Sequence, residues 1–495
     1  MSQRVSDWLV AYNRFGLGAP AGGAGTRAAV LSELETPDVA GLADAGLQSS
    51  KAVLQAIYDY QSRKKTAVER MAARRADPQP APASSAAPSA KPAQSQAGAE
   101  PTPNGMVVAM DAAEMAGANG MAAEKPPEGA MYRAEALARV RKAQAAAVGY
   151  VERLVAFWSN HFCVSALKNG IGRGCAGPFE REAIRPHVLG RFADMLKAVE
   201  RHPAMLNYLD NARSIGPDSA VGQNRGVGLN ENLAREILEL HTLGVGSGYR
   251  QADVTQFARA LTGWTIAGHD GKLGEPGTFI FNDRAHEPGS AEILGRVYAQ
   301  AGVAQGEAVL ADLARAPATA DHLARKLVKH FIADEPDAAL VGRMAKTFRA
   351  TDGDLLAVSK ALIEDDAAWG APLAKIRNPW ELATAANRAF ARSPDDAGQT
   401  LDALSLLGMP LWQPPGPNGF SDDSGAWASP EGMKMRLALA PRLARAQKDT
   451  PAPLDLLDQV LGPLASAETR QALARAETRE QAYALLVMSP EFQRR

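Results

Sequence analysis

Apolar residues recur at three- and four-residue intervals through most of this chain, and Pro and Gly mark the breaks between the periodic runs. That spacing predicts helices. They fall at Gln61 to Arg74, Tyr132 to Phe157, Arg191 to Val199, Asn230 to Leu243, Gln251 to Leu261, Ala304 to Ala314, Thr319 to Ile332, Leu340 to Thr351 and Leu355 to Glu364. Further helices are predicted at Pro379 to Phe390, Asp396 to Leu407 and Pro430 to Ala446, with two more between Pro463 and Met488. Strand-like alternation is scarce. Gly277 to Phe281 (GTFIF) reads as a strand, and Arg296 to Ala299 is expected to pair with it as a small hairpin. The predicted fold class is mainly α, a large irregular multi-helix domain with at most a small β-hairpin; no fixed-period repeat suggests a solenoid.

From Ala76 to about Pro127 the periodicity stops. The segment is rich in Ala, Pro, Ser, Gln and Gly and short of large apolar residues, so it buries too little surface to offset its ordering entropy. A disordered insertion is expected there. The resulting organisation is an N-terminal helical part (1–75), the insertion (76–127) and a main helical domain (128–495) continuous with the first part.

Composition narrows the functional classes. With 495 residues, 46% apolar and 22% charged, the chain can build a deep core. Its 54 Lys and Arg against 55 Asp and Glu give a net charge of −1, which supplies no global field for nucleic acid or an anionic membrane. No run reaches the roughly 18 apolar residues of a membrane helix, and the N-terminus lacks a signal-peptide pattern. Localisation is left open between the cytoplasm and export alongside a partner. Cys163 and Cys175 are too widely spaced for a CxxC pair and too few for a disulfide scaffold. There is no HExxH, GxSxG, Walker loop or dinucleotide fingerprint, so neither a metal nor a cofactor is specified.

The chemistry concentrates between Gly228 and Trp264. At about 100° per residue, Glu231, Asn232, Arg235, Glu236 and Glu239 share one face of the helix opening at Asn230, and His241 falls toward the apolar side. Two readings stand side by side. Glu231 and Glu239 each lie four residues from Arg235, and solvated pairs of that kind contribute only about 0.2–0.5 kcal/mol. Alternatively, a buried Arg235 would hold one carboxylate ionised while crowding raises another, as general acid–base work requires. Asp253 suits a helix N-terminus. Trp158, Asn160 and His161 in FWSNHFCVS are candidates for a pocket wall. So are Trp264, His286 in FNDRAHEP, and Trp412 in the proline-rich LGMPLWQPPGPNGF arm.

The ordered run NRFGLGA, FWSNHFCVS, IRPHVLGRF, HPAMLNYLDN, NENLAREILELHTLGV, DVTQFARALTGW, RKLVKHF, RNPWE and LGMPLWQPPGPNGF resembles the large bacterial domain-of-unknown-function family numbered 1800. The resemblance spans nearly everything outside the insertion. It implies a mostly helical fold and places the family's recurring polar positions on Asn160, His161, Asn230, Glu231, Arg235, Glu236, Glu239, His241, Asp253, Arg259, Thr262, Trp264 and His286. It supplies no reaction. It also implies a neighbouring sulfatase-like protein, carrying a twin-arginine export signal, as a partner.

Two functions are therefore expected. One is a hydrolase or lyase acting on an envelope or extracellular glycan, with catalysis by Glu231, Glu236, Glu239, Arg235, His241 and His161, and substrate binding by Trp158, Asn160, Asn230, Asn232, Asp253, Trp264, His286 and Trp412. The other is a non-catalytic partner of the sulfatase-like protein, docking through the proline–tryptophan arm. A crowded, concave carboxylate site favours the first, and exposed paired charges favour the second.

Overall fold

A computed structural model describes residues 6–42, 44, 46–76, 124–225, 228–392, 394–445 and 448–495. The fold is mainly α. Two units separate by compactness: residues 1–55 with 128–495, and residues 56–127. In the smaller unit the helix that begins at Ser50 continues to Ala76, and Arg63 pairs with Glu124 at 2.9 Å. Most of the expected insertion, residues 77–123, lies outside the described residues.

In the larger unit the helices follow the 3.6-residue period closely. The Phe192–Arg201, Val303–Arg315, Pro317–Phe331, Ala338–Ala350 and Leu355–Glu364 helices all carry one buried apolar stripe. The expected Tyr132 to Phe157 helix is broken in two, Glu128–Ala145 and Tyr150–His161. Gly149 at φ +99° makes the break, and Glu33 accepts from the backbone N–H groups of Gly149 and Val151 at 2.9 Å each, capping the second helix from a distant segment. Helices Arg27–Glu35, Gly170–Phe179, Pro203–Tyr208 and Pro453–Val460 were not predicted; they are short or glycine-rich, and their apolar stripes are too brief to register as a period.

The strand pairing differs from expectation. Strand β1 (Trp264–Ile266) pairs antiparallel with β2 (Phe279–Phe281), and β3 (Ala291–Ile293) pairs with β4 (Arg296–Tyr298). There are thus two ribbons, not one hairpin joining 277–281 to 296–299. Leu294 and Gly295, both at positive φ, form a two-residue turn that commits β4 to β3. The Leu294 N–H donates to Asp253 Oδ1 at 2.7 Å, tying the turn to the Gln251–Ala260 helix.

Charge is buried deeply beneath the helices. Arg185 reaches Glu152 at 2.8 Å and Glu180 at 3.0 Å, with all three side chains at most 3% exposed. Arg139 adds a contact to Glu180 at 3.2 Å and stacks over Trp380. The two ends of the chain meet the same interior. Arg377 bonds Asn13 and the Phe492 carbonyl, and Arg495 donates to Glu381 at 2.6 Å and to the His330 carbonyl at 2.8 Å.

Candidate functional site

Three helices converge on a cluster of imidazoles. The Tyr150–His161 helix ends on His161; the Pro317–Phe331 helix presents His322 and Lys326, four residues apart on one face; and the Asn232–Glu236 helix widens into a π-helical turn, Ile237–His241, that ends on His241. Ring centroids lie 6.1 Å apart for His161 and His241, and 6.3 Å apart for His161 and His322. A fourth helix, Phe192–Arg201, contributes Glu200, whose carboxylate is fully buried and meets His241 Nδ1 at 2.8 Å.

The hydrogen bonds fix the tautomers. His241 gives its Nδ1–H to Glu200, which leaves the lone pair on Nε2. His161 gives its Nε2–H to the His241 carbonyl at 3.2 Å and accepts at Nδ1 from the Lys326 ammonium at 3.0 Å. His322 gives its Nε2–H to the Leu240 carbonyl at 3.2 Å. Burial, and then the neighbouring Lys326, hold both rings neutral: His161 is pushed well below the usual imidazole range and His322 to about 4. Burial likewise lowers Lys326, against the opposing pull of Asp422 and Cys163. Among the described residues no carboxylate lies within ion-pair distance of Lys326.

Glu236 lies five residues before His241 on the same helical run. Burial raises its pKa, and His241 and Glu239 lie within electrostatic range. The remaining carboxylates of the same helix belong elsewhere. Arg235 bridges Glu231 at 3.2 Å and Glu239 at 3.5 Å on a partly exposed face, and Glu231 also accepts from Thr255 at 2.6 Å and Gln251 at 2.8 Å. The bond from Thr255 is the main reason Glu231 sits below the ordinary carboxylate range.

Two concave regions lie nearby, the first of them lined by Asn160 and Cys163, on either side of His161 in the chain, and neither is lined by His161, His241, His322, Lys326, Glu200 or Glu236. A small, partly open cavity of about 50 Å³, mostly apolar, is lined by Asn160, Cys163, His330, Trp380, Trp412 and Asp422 among others. Beside it, sharing Pro410, Pro414, Phe420 and Ser421, runs an open groove of about 650 Å³ walled by Tyr208, Gln413, Phe420 and Trp427. Burial pushes the Cys163 thiol up to about 12, with Lys326 and Glu236 both in electrostatic range, and the Tyr208 phenol is raised by burial with Cys163 and Glu236 nearby.

Asn160 shapes that wall. Its amide donates to the Phe420 carbonyl and accepts from the Phe420 N–H, both at 2.8 Å, clamping the proline-rich arm. Gly419, at φ +74°, must be glycine, because a Cβ there would stand 2.5 Å from the Asn160 carbonyl.

The chain belongs to the family described as Protein of unknown function (DUF1800), whose model matches residues 10–494. Comparison with curated proteins and with solved structures gives no match.

In this DUF1800 protein Trp158 is fully buried, stacked on Phe162 and edge-on to His161 at 5.3 Å, while several other residues singled out from the sequence lie away from the cluster. Trp264 is fully buried, edge-on to Phe279. Trp412 is turned inward against Tyr132 and donates to Glu180 at 3.1 Å. Asp253 caps the Arg250 N–H at 2.7 Å, and Asn230 caps Asn232 at 2.9 Å, while Asn232 itself is exposed. His286 bonds the Thr262 carbonyl at 2.9 Å in the loop after β2. The cluster gathers His161, Glu236 and His241 with Lys326, His322 and Glu200, which the sequence reading passed over. RKLVKHF was legible as a motif, but the role of its first lysine was not. Glu200 lies 41 residues from His241 and had no local signal. Among the described residues no three His, Cys, Asp or Glu side chains are placed to hold a metal, and no helix is long and apolar enough to cross a membrane.

Proposed function

We propose that this DUF1800 protein is an acid–base enzyme of the hydrolase or lyase class acting on an envelope or extracellular glycan, with His241 as base and Glu236 as acid. The observation that carries this reading is the 2.8 Å bond between His241 Nδ1 and the buried Glu200 carboxylate. It orients the ring, keeps the Nε2 lone pair available and offers a counter-charge to the imidazolium that forms when Nε2 takes a proton. Glu236, five residues earlier, retains its proton to higher pH than an ordinary carboxyl group because it is partly buried. The groove supplies ring faces from Tyr208, Phe420 and Trp427 with polar groups from Gln413 and Ser421, a combination suited to sugars. Glu231, Arg235 and Glu239 serve as a solvated ion-pair ladder. The alternative reading, a non-catalytic partner of a sulfatase-like protein, is favoured by the partly exposed, paired charges of Glu231, Arg235 and Glu239.

The test is release of reducing ends from a panel of neutral and acidic glycans by wild type, Glu200→Gln and Glu236→Gln. Both variants are expected to lose at least about a hundredfold in kcat while melting within a few degrees of wild type. Glu200 is a positioning residue, so its variant should lose kcat with KM little changed, and Glu200→Asp should recover part of the loss. Failure of wild type to cut any glycan refutes the reading.

A further inference from the structure

Most of the small cavity's wall is apolar, and the polar groups set into it are incompletely bonded. Buried polar groups of a folded protein normally have partners. Arg139, 5% exposed, lines the cavity with its guanidinium 4.3 Å from the Trp380 ring centre and 5.7 Å from that of Trp412. Its ion pair with Glu180 runs through Nε at 3.2 Å, and neither terminal nitrogen has a hydrogen-bond partner among the described residues. The indole N–H of Trp380 is buried and unbonded as well. These are donors without acceptors.

Acceptors without donors line the same space. His330 gives its Nδ1–H to Asp422 Oδ1 at 2.7 Å, which leaves a buried Nε2 lone pair with no partner among the described residues. Asp422 Oδ2 receives no hydrogen bond among those residues either. Burial pushes that carboxyl up, but His330, Lys375 and Lys326 outweigh it and hold it at about 2, so it is ionised at neutral pH. Next to Trp380, Glu381 Oε1 is buried without a hydrogen bond, 3.3 Å from Arg153. Arg153 also donates to the His330 carbonyl at 3.3 Å, so one side chain joins the two halves of the wall. The ionised residues of the wall are two cations, Arg139 and Arg153, and two carboxylates, Glu381 and Asp422, and their charges cancel.

A lone carboxylate here would face Asp422 and Glu381, and a lone ammonium would face Arg139. A ligand that carries both signs and is neutral overall matches the wall. We infer that the cavity binds the head group of a free α-amino acid, with its carboxylate on the Arg139 guanidinium and the Trp380 N–H, and its ammonium on His330 Nε2 and Asp422. About 50 Å³ admits only a few non-hydrogen atoms, so the head group enters and the side chain stays outside. Pro410, Pro414 and Phe420 belong to both the cavity and the open groove, and that shared edge suits an apolar side chain lying in the groove. The site is separate from His241 and Glu200 and does not depend on the acid–base reading.

Calorimetric titration of the full chain with leucine and with phenylalanine, each beside its deaminated and its decarboxylated analogue, tests the assignment. At least one of the two amino acids should bind one-to-one, and both of its stripped analogues should bind at least about thirtyfold more weakly, because each strands a buried charge. Asp422→Asn, shown to be folded by its thermal melt, should weaken the amino acid at least about tenfold and leave the deaminated analogue no weaker than before. The analogue series on wild type needs no variant, so it decides even if Asp422→Asn fails to fold. No binding of either amino acid up to about 10 mM would overturn the site and leave its open donors and acceptors to water. Equal affinity for an amino acid and either stripped analogue would overturn recognition of both charges. Undiminished binding to folded Asp422→Asn would overturn the placement of the ligand in this cavity.

Discussion

Replacing Arg185 with Met should be among the most damaging single changes in the molecule. Arg185 donates to Glu152 at 2.8 and 3.0 Å, to Glu180 at 3.0 and 3.1 Å, and to the Ala40 carbonyl at 2.7 Å, all in the interior. Glu180 would keep Arg139, Ser159 and Trp412 as partners. Glu152 would keep no side-chain donor among the described residues, and its charge would be buried without compensation. Breaking a buried pair from one side costs about 3–5 kcal/mol, and the lost bond to Ala40 adds about 1 kcal/mol, so a loss of about 4–6 kcal/mol is expected. With unfolding entropy near 2.1 cal/mol/K per residue over the roughly 420 residues of the larger unit, that corresponds to a fall of about 5–7 °C in Tm. Urea titration at pH 7 measures the loss directly. The double variant Arg185→Met with Glu152→Met should recover at least about 2 kcal/mol, because the stranded carboxylate is gone. A single-variant loss below about 1 kcal/mol, or no recovery in the double variant, would refute the reasoning.

Other expectations follow from smaller features. Asp422 is pushed up by burial, but His330, Lys375 and Lys326 outweigh this and hold it down to about 2 from 3.8. Its contribution, about 2 kcal/mol, is therefore fully present above pH 4 and lost as pH falls through about 2, so Asp422→Asn should narrow the difference between urea midpoints at pH 6 and pH 2. Leu294 adopts φ +53° at the first position of the β3–β4 turn, where Asn is favoured; Leu294→Asn should stabilise by about 0.5–1 kcal/mol, read as a higher Tm. Arg235→Ala removes two partly exposed ion pairs and should cost under about 1 kcal/mol by urea denaturation.

The helical fold was legible because amphipathic periodicity survives in most elements, from Phe192–Arg201 to Leu355–Glu364. Two of the four strands were legible too, β2 within Gly277 to Phe281 and β4 within Arg296 to Ala299, but Trp264–Ile266 and Ala291–Ile293 are too short for alternation to register, and the pairing of β3 with β4 is set by the Leu294–Gly295 turn and by Asp253. At the site, His161, Glu236 and His241 stood out as polar residues in dense motifs. Their partners did not, because Glu200 and Lys326 arrive on separate helices and a single chain read in order carries no sign of that convergence. The tryptophans divide for a related reason: rings that suit a pocket suit a core equally well, and Trp158 and Trp264 are packed inside while Trp412, also buried, lines the small cavity.

The seating of Arg495 against Glu381 and the His330 carbonyl has a consequence for vectorial synthesis. The helix that presents His322 and Lys326 also carries His330, and residue 330 is held by residue 495. On the ribosome that helix emerges long before its latch is translated, so a nascent chain holds the components of its site without their final clamp. Completion of the cluster thus waits until residue 495 has been made, and the chain before that point is the state most exposed to chaperones and proteases.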